Sequence, residues 1–94
     1  MDKQYFVYLL QCSDGTLYCG YTDDVEKRVR VHNSGRGAKY TKSRLPVKAV
    51  YTETAADKSS ALKREAEIKK MPRVRKLELI KEKNQTLQSG VYDK

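Results

Sequence analysis

Residues 5–21, YFVYLLQCSDGTLYCGY, hold two apolar runs on either side of a turn signal, and the pairing of these runs decides the architecture. Tyr5 to Cys12 carries aromatic and β-branched residues, with apolar side chains on both parities. A strand of that composition is covered on both faces and belongs at the centre of a sheet. Ser13-Asp14-Gly15 signals a turn and Leu17 to Tyr21 reads as a second short strand, so the stretch predicts a β-hairpin. Loop length then sets which side chains share a face. A two-residue Asp14-Gly15 turn pairs Tyr8 with Tyr21 and sends Tyr18 to the opposite face. A three-residue Ser13-Asp14-Gly15 loop, with Gly15 left-handed, pairs Tyr8 with Gly20 and Leu10 with Tyr18. Both tyrosines then point the same way, and Gly20 leaves an open floor between them.

Outward from the hairpin, Asp23 or Asp24 can cap a helix that runs to about Asn33, with Val25, Val29 and His32 on one face. Asn33-Ser34-Gly35 stops it. Residues 35–45, GRGAKYTKSRL, read as a basic loop that Gly35 and Gly37 leave free to move. Pro46 opens a third strand, alternating through Val47, Ala49 and Tyr51. Asp57 caps a helix to about Lys70, and Pro72 can occupy the first turn of a last helix carrying Val74, Leu77 and Ile80. The order is ββαβαα. It predicts an α+β fold, with a three-stranded, mainly antiparallel sheet in order 2-1-3 flanked by helices. Residues 1–82 form this domain. Residues 83–94 are polar, lack an apolar period and are expected to be a disordered tail.

The chain has 94 residues, enough for one compact domain. Twenty Lys and Arg against twelve Asp and Glu give a formal net charge of +8, which favours a polyanionic partner such as nucleic acid. The two cysteines, Cys12 and Cys19, lack CxxC spacing, which argues against a zinc site. No apolar run approaches the roughly 18 residues of a membrane span, and no signal peptide is recognisable. The expectation is a cytoplasmic, monomeric protein with reduced thiols and no membrane partner.

Five residues stand out as candidates for chemistry. On the second long helix, Ala61, Leu62 and Ile68 define an apolar face, and Glu65 projects into the middle of it while Glu67 points to solvent. A carboxylate there is costly unless paired, protonated or bound to a cation. It is either a partly buried Glu bonded to an Arg or a Tyr hydroxyl, or a ligand for Mg²⁺. Arg28 and His32 lie one turn apart on the first helix. Arg28 could pair with Asp24 or face a phosphate, where its planar fork suits two oxygens. His32 could be a satisfied core residue. Tyr8 and Tyr18 could be ordinary strand packing. The basic loop adds Arg36, Lys39, Lys42 and Arg44, with Tyr40 between them, a strip suited to backbone phosphates with one stacking residue.

These elements resemble a known family. Phe6-Val7-Tyr8 and Tyr18-Cys19-Gly20, ten residues apart from Tyr to Tyr, are similar to the paired GIY and YIG elements of GIY-YIG nucleases. VEKRVRVH resembles that family's first helix, with its Arg at position 28, eight residues after Gly20. ALKREAEIKK resembles the helix that carries the metal-binding Glu, here Glu65. The resemblance covers about residues 5–80 and is closest to the small stand-alone members. It implies phosphodiester hydrolysis in nucleic acid, DNA in preference to RNA, with one divalent cation, Mg²⁺ or Mn²⁺. Glu65 would hold the metal, and Arg28 would stabilise the pentavalent phosphate. Tyr18, with Tyr8 or His32, would position or deprotonate the attacking water. A basic nucleic-acid-binding module with little or no cleavage is the alternative, and a protein partner could supply substrate specificity. Phe6 stands where the family has Gly and Cys19 where it has Ile. PRVRKLEL lacks the Asn that some relatives carry after the Glu helix.

Overall fold

The computed structural model describes residues 4–92, with side chains through Lys83. The chain forms β1 (Tyr5–Gln11), β2 (Leu17–Thr22), α1 (Val25–Asn33), α2 (Lys39–Lys42), β3 (Lys48–Ala55), α3 (Lys58–Lys70) and α4 (Arg73–Tyr92). The sheet is antiparallel in order β2-β1-β3, with β1 at its centre. Val7, Tyr8, Leu9 and Leu10 of β1 are all buried, as two-sided apolarity demands.

The hairpin takes the three-residue loop. Cys12 N–H donates to the Thr16 carbonyl and Gly15 N–H to the Cys12 carbonyl, both at 2.9 Å, with Gly15 at φ +84°. The register pairs Tyr8 with Gly20 and Leu10 with Tyr18. One face of the sheet therefore gathers Tyr8, Leu10, Cys12 and Val47, with Tyr18, Val29 and Leu45 against them. The other gathers Val7, Leu9 and Cys19 under Ala61, Ile68 and Leu79 of α3 and α4. The helices thus sit on both sides, α1 over one core and α3 with α4 over the other.

Caps set the helix starts. Asp24 accepts from Lys27 N–H at the head of α1, and Asp57 from Ser60 N–H at the head of α3. Gly35, at φ +85°, reverses the chain after α1. The Asn33 side chain then accepts from Val47 N–H at 2.7 Å and donates to its carbonyl at 3.0 Å. It stands in for a strand partner just before β3 begins.

Several expectations change. The basic loop is not uniformly irregular, because α2 forms inside it around a buried Thr41. Gly37 is not a source of freedom: a Cβ there would overlap the His32 ring, so the glycine permits close approach. The alternation of β3 breaks between Ala49 and Tyr51. Leu10 faces Ala49 and Leu9 faces Tyr51, so Val50 is the extra residue of a bulge. Val47 lies on the Tyr8 face and Tyr51 on the α3 face. Leu62 is 43% exposed, so the buried line of α3 is Ala61 to Ile68. Pro72 precedes α4, and its carbonyl accepts from Arg75 and Lys76 N–H. Val74 and Leu77 are exposed, and α4 meets the core through Leu79 and Ile80. The tail expected at residues 83–94 opens inside α4, and its side chains beyond Lys83 lie outside the described residues.

Candidate active site

The register brings four of the five candidates together. Tyr8 and Tyr18 rise from adjacent strands on the α1 face, and His32 and Arg28 descend from α1. The Tyr8 hydroxyl lies 3.3 Å from His32 Nε2, and His32 Nδ1 lies 2.9 Å from Thr41 Oγ1. The Thr41 hydroxyl itself donates to the Ala38 carbonyl at 2.9 Å. It has one proton, so toward His32 it can only accept. His32 therefore carries its proton on Nδ1, and Nε2 is the bare acceptor for the Tyr8 O–H. His32 and Thr41 are fully buried, and Tyr8 nearly so. The chain Tyr8–His32–Thr41–Ala38 is thus directed from the strand into α2.

Arg28 turns to Tyr8. The hydrogen bonds and ion pairs of Asp24 do not include its side chain; Asp24 caps Lys27 instead. Burial pushes the Tyr8 phenol above its ordinary value, and the hydrogen bond and charge of Arg28 pull against that without reversing it. Burial first, and then the Arg28 charge, hold His32 below its usual imidazole range. His32 is neutral at neutral pH and free to accept a proton. Gly20 leaves room for Tyr8, since a Cβ there would come within 2.5 Å of the phenol oxygen.

Tyr18 packs its ring edge-on against His32, with centroids 5.4 Å apart, and stacks on Tyr40 at 5.9 Å and 26°. Arg44 lies over the Tyr40 ring, 4.0 Å from its centroid. Its guanidinium also donates to Asp14 at 3.1 Å and to the Tyr40 carbonyl at 2.7 Å. Tyr40 and Arg44 therefore brace Tyr18 and the hairpin loop. Arg36, Lys39 and Lys42 are exposed, and none forms an ion pair among the described residues.

Glu65 stands apart from the tyrosines. Its carboxylate is 16% exposed and pairs with Lys69 at 3.5 Å, while its main-chain carbonyl accepts from the Cys19 thiol at 3.9 Å. Among the described residues no hydrogen bond or ion pair joins it to Tyr8, Tyr18, Arg28 or His32. It reaches the sheet at Cys19, the residue between Tyr18 and Gly20 on the edge strand β2. Burial, and after it the Glu65 charge, push the Cys19 thiol up to about 11. Its neighbour Arg64 grips Glu53 of β3 at 2.7 Å and Glu67 at 3.1 Å, fixing the rotation of α3 and with it the aim of Glu65. Among the described residues no three His, Cys, Asp or Glu converge as a metal cage. A lone, largely buried carboxylate, ion-paired among the described residues with a half-exposed lysine, fits Mg²⁺, which commonly takes one or two carboxylates and completes its shell with water and phosphate oxygens. It does not fit zinc, which wants three or four protein ligands.

Sequence reasoning did not find Thr41, because no local period links it to His32, nine positions earlier. Gly37 stands out in the sequence as a glycine, but its close approach to the His32 ring five residues earlier is visible only in the fold.

Comparison with known proteins places this fold in a family of catalytic domains. Residues 4–78 match the family described as the GIY-YIG catalytic domain, and the chain belongs to the GIY-YIG family. Its relatives include UPF0213 proteins, which are small single-domain proteins. That of Staphylococcus saprophyticus is 57% identical over 82 residues, spanning 87% of this chain and 99% of that protein. That of Syntrophus aciditrophicus is 60% identical over 83 residues, spanning 87% and 94%. The solution structure of the UPF0213 protein BH0048 from Bacillus halodurans is similar at 42% identity and a TM-score of 0.54, over 83% of each chain. The solution structure of EF2693 from E. faecalis is similar at 39% identity and a TM-score of 0.51, over 97% of this chain and 90% of that one. No helix among the described residues is long and apolar enough to cross a membrane.

Proposed function

We propose that this chain is a metal-dependent endonuclease that hydrolyses phosphodiester bonds in nucleic acid, DNA in preference to RNA, in the cytoplasm. The observation that carries the reading is the directed Tyr8–His32–Thr41 hydrogen-bond chain beside Arg28 and Tyr18. A buried phenol raised above its ordinary value does not ionise alone at neutral pH. It can pass its proton to His32 Nε2 while its oxygen takes one from an attacking water. His32 becomes imidazolium, with Nδ1–H still on Thr41. Arg28 faces the same oxygen and is placed to offset negative charge growing on the phosphoryl oxygens. Tyr18, whose hydroxyl makes no hydrogen bond to another described side chain, is free to orient the water. Mg²⁺, or Mn²⁺ in its place, would be held by Glu65 with the substrate's own oxygens and would supply Lewis-acid polarisation of the phosphoryl group.

A second reading has a specific observation in its favour. Glu65 pairs with Lys69 and, among the described residues, shares no hydrogen bond or ion pair with the tyrosine cluster. A basic module that binds nucleic acid without cutting it would look the same. Cleavage of a panel of branched and single-stranded DNA and RNA, with and without Mg²⁺, separates the two. Tyr8→Phe keeps the ring and removes the proton path. It should lower cleavage by about 10²- to 10⁴-fold, the usual worth of a general base, with the fold intact. Wild-type cleavage in Mg²⁺ that Tyr8→Phe leaves unchanged would remove Tyr8 from the mechanism. No cleavage of any substrate by wild type would favour the binding module.

A further inference from the structure

The start of α4 carries charge that the proposed chemistry does not use. Arg73 and Lys76, with Thr16, Leu17 and Tyr40, line a cleft of about 200 Å³. Most arginines on α3 and α4 are tied: Arg64 to Glu53 and Glu67, Arg75 to Glu78. Arg73 and Lys76 have no acidic partner among the described residues. Lys76 is also half-buried, on the side of α4 that turns toward the core with Leu79 and Ile80. A half-buried ammonium with no close ion pair leaves its donors open to an anionic ligand. The far wall of the cleft is Tyr40, which stacks on Tyr18 of the candidate site. Lys76 also lies close enough to Cys19 for its charge to act on that thiol, as the Glu65 carboxylate does. The cleft therefore sits at the edge strand β2, between the tyrosine cluster on one face and Glu65 on the other.

We propose that this cleft is a phosphate subsite for the nucleic-acid strand beside the scissile bond, with Arg73 and Lys76 as its cations and Tyr40 as its wall. It rests on the reading that the chain binds nucleic acid at the tyrosine cluster. A strand crossing β2 would lay one phosphate against Arg28 and a neighbouring one between Arg73 and Lys76. This would also bring the two halves of the candidate site, which share no hydrogen bond, onto one substrate.

The test is fluorescence anisotropy of a labelled single-stranded oligodeoxynucleotide, titrated with the full chain in EDTA over a range of salt. Arg73→Gln/Lys76→Gln should weaken binding several-fold at low salt. The slope of log affinity against log salt should shrink by about 0.7, the worth of the one phosphate contact the two cations share on a single strand. Arg75→Gln, whose charge is tied to Glu78, is the control and should keep the wild-type slope. Arg73→Gln alone, at an exposed position, should lose about half the effect and guards against a folding defect in the double variant. A double variant with wild-type affinity and slope would overturn the subsite while leaving nucleic-acid binding intact. Equal competition by polyglutamate would also overturn it, as a generic basic surface. Wild type that binds no oligonucleotide at low salt would overturn the nucleic-acid reading and the subsite with it.

Discussion

His32 is fully buried and donates through Nδ1 to a hydroxyl that has already committed its proton, so its protonation has consequences both for folding and for rate. Its folded value lies below the unfolded one, about 6.5. A depressed value means that the unfolded chain binds the proton first. The stabilisation is fully present above the unfolded value and is lost as pH falls through the folded one. Chemical denaturation at a series of pH values should show a level stability at neutral pH and a decline below about 6.5 that His32→Gln flattens. An unchanged decline in that variant would assign it to other groups. Cleavage should follow the same group, with an acid limb centred below the usual imidazole value. Thr41→Val removes the acceptor for Nδ1–H and the donor to Ala38. It should cost about 1–3 kcal/mol for each buried group left unsatisfied, read from thermal or urea unfolding. It should also depress cleavage, because the imidazole proton is no longer held away from Tyr8. A variant destabilised but with wild-type cleavage would make Thr41 purely structural. None of this was legible in the sequence beyond His32 itself. His32 lay on an apolar face as a candidate, but the pairing with Thr41 crosses a loop whose path only the fold supplies.

The hairpin was legible in its parts and undecided in its register, and Gly15 decides it. At φ +84° with open space around its Cβ position, the residue is required by backbone conformation alone. Gly15→Ala should therefore cost about 1–2 kcal/mol, the strain of a left-handed non-glycine residue, without a specific loss of cleavage per folded molecule. Gly20→Ala differs. Its Cβ would approach the Tyr8 oxygen to 2.5 Å, so it should disturb the Tyr8–His32 contact and cleavage with it. Equal effects of the two on unfolding and cleavage would contradict the separate roles. The bulge at Val50 gave no sequence signal, because Val47, Ala49, Val50 and Tyr51 are apolar at either parity. On α4 the apolar residues do not by themselves mark the inward side, because Lys76 lies between Leu79 and Ile80 there while Val74 faces out. The basic loop was legible in charge and illegible in shape. Arg44 ties to Asp14 and Tyr40, and only Arg36, Lys39 and Lys42 remain exposed. Charge reversal at those three should weaken binding to any sequence and reduce its salt dependence in oligonucleotide titrations. Binding that ignores salt would count against a phosphate-contact role.

Taken together, the sheet separates two groups that catalysis would need to join. The tyrosines, Arg28 and His32 stand over one face, and Glu65 approaches from the other at the β2 edge. The two-sided apolarity of β1 foretold its central place in the sheet. The distance between the two groups could not be foretold, because it depends on the rotation of α3 that Arg64 and Glu53 set across 11 positions of sequence. A nuclease of this design has its parts joined by substrate and metal, and a mere binder does not need Glu65. The most direct measurement is Mg²⁺-dependent cleavage by Glu65→Gln, with Glu67→Gln as the matched control. Glu67 is 65% exposed and, among the described residues, paired only with Arg64, so its amide should be nearly silent. Glu65→Gln keeps the shape and removes the charge that attracts the cation. It should fold as well as wild type, bind oligonucleotide in EDTA as well, and cleave several orders of magnitude more slowly, as groups acting as one electrostatic unit do. Glu65→Gln with wild-type Mg²⁺-dependent cleavage would contradict the account.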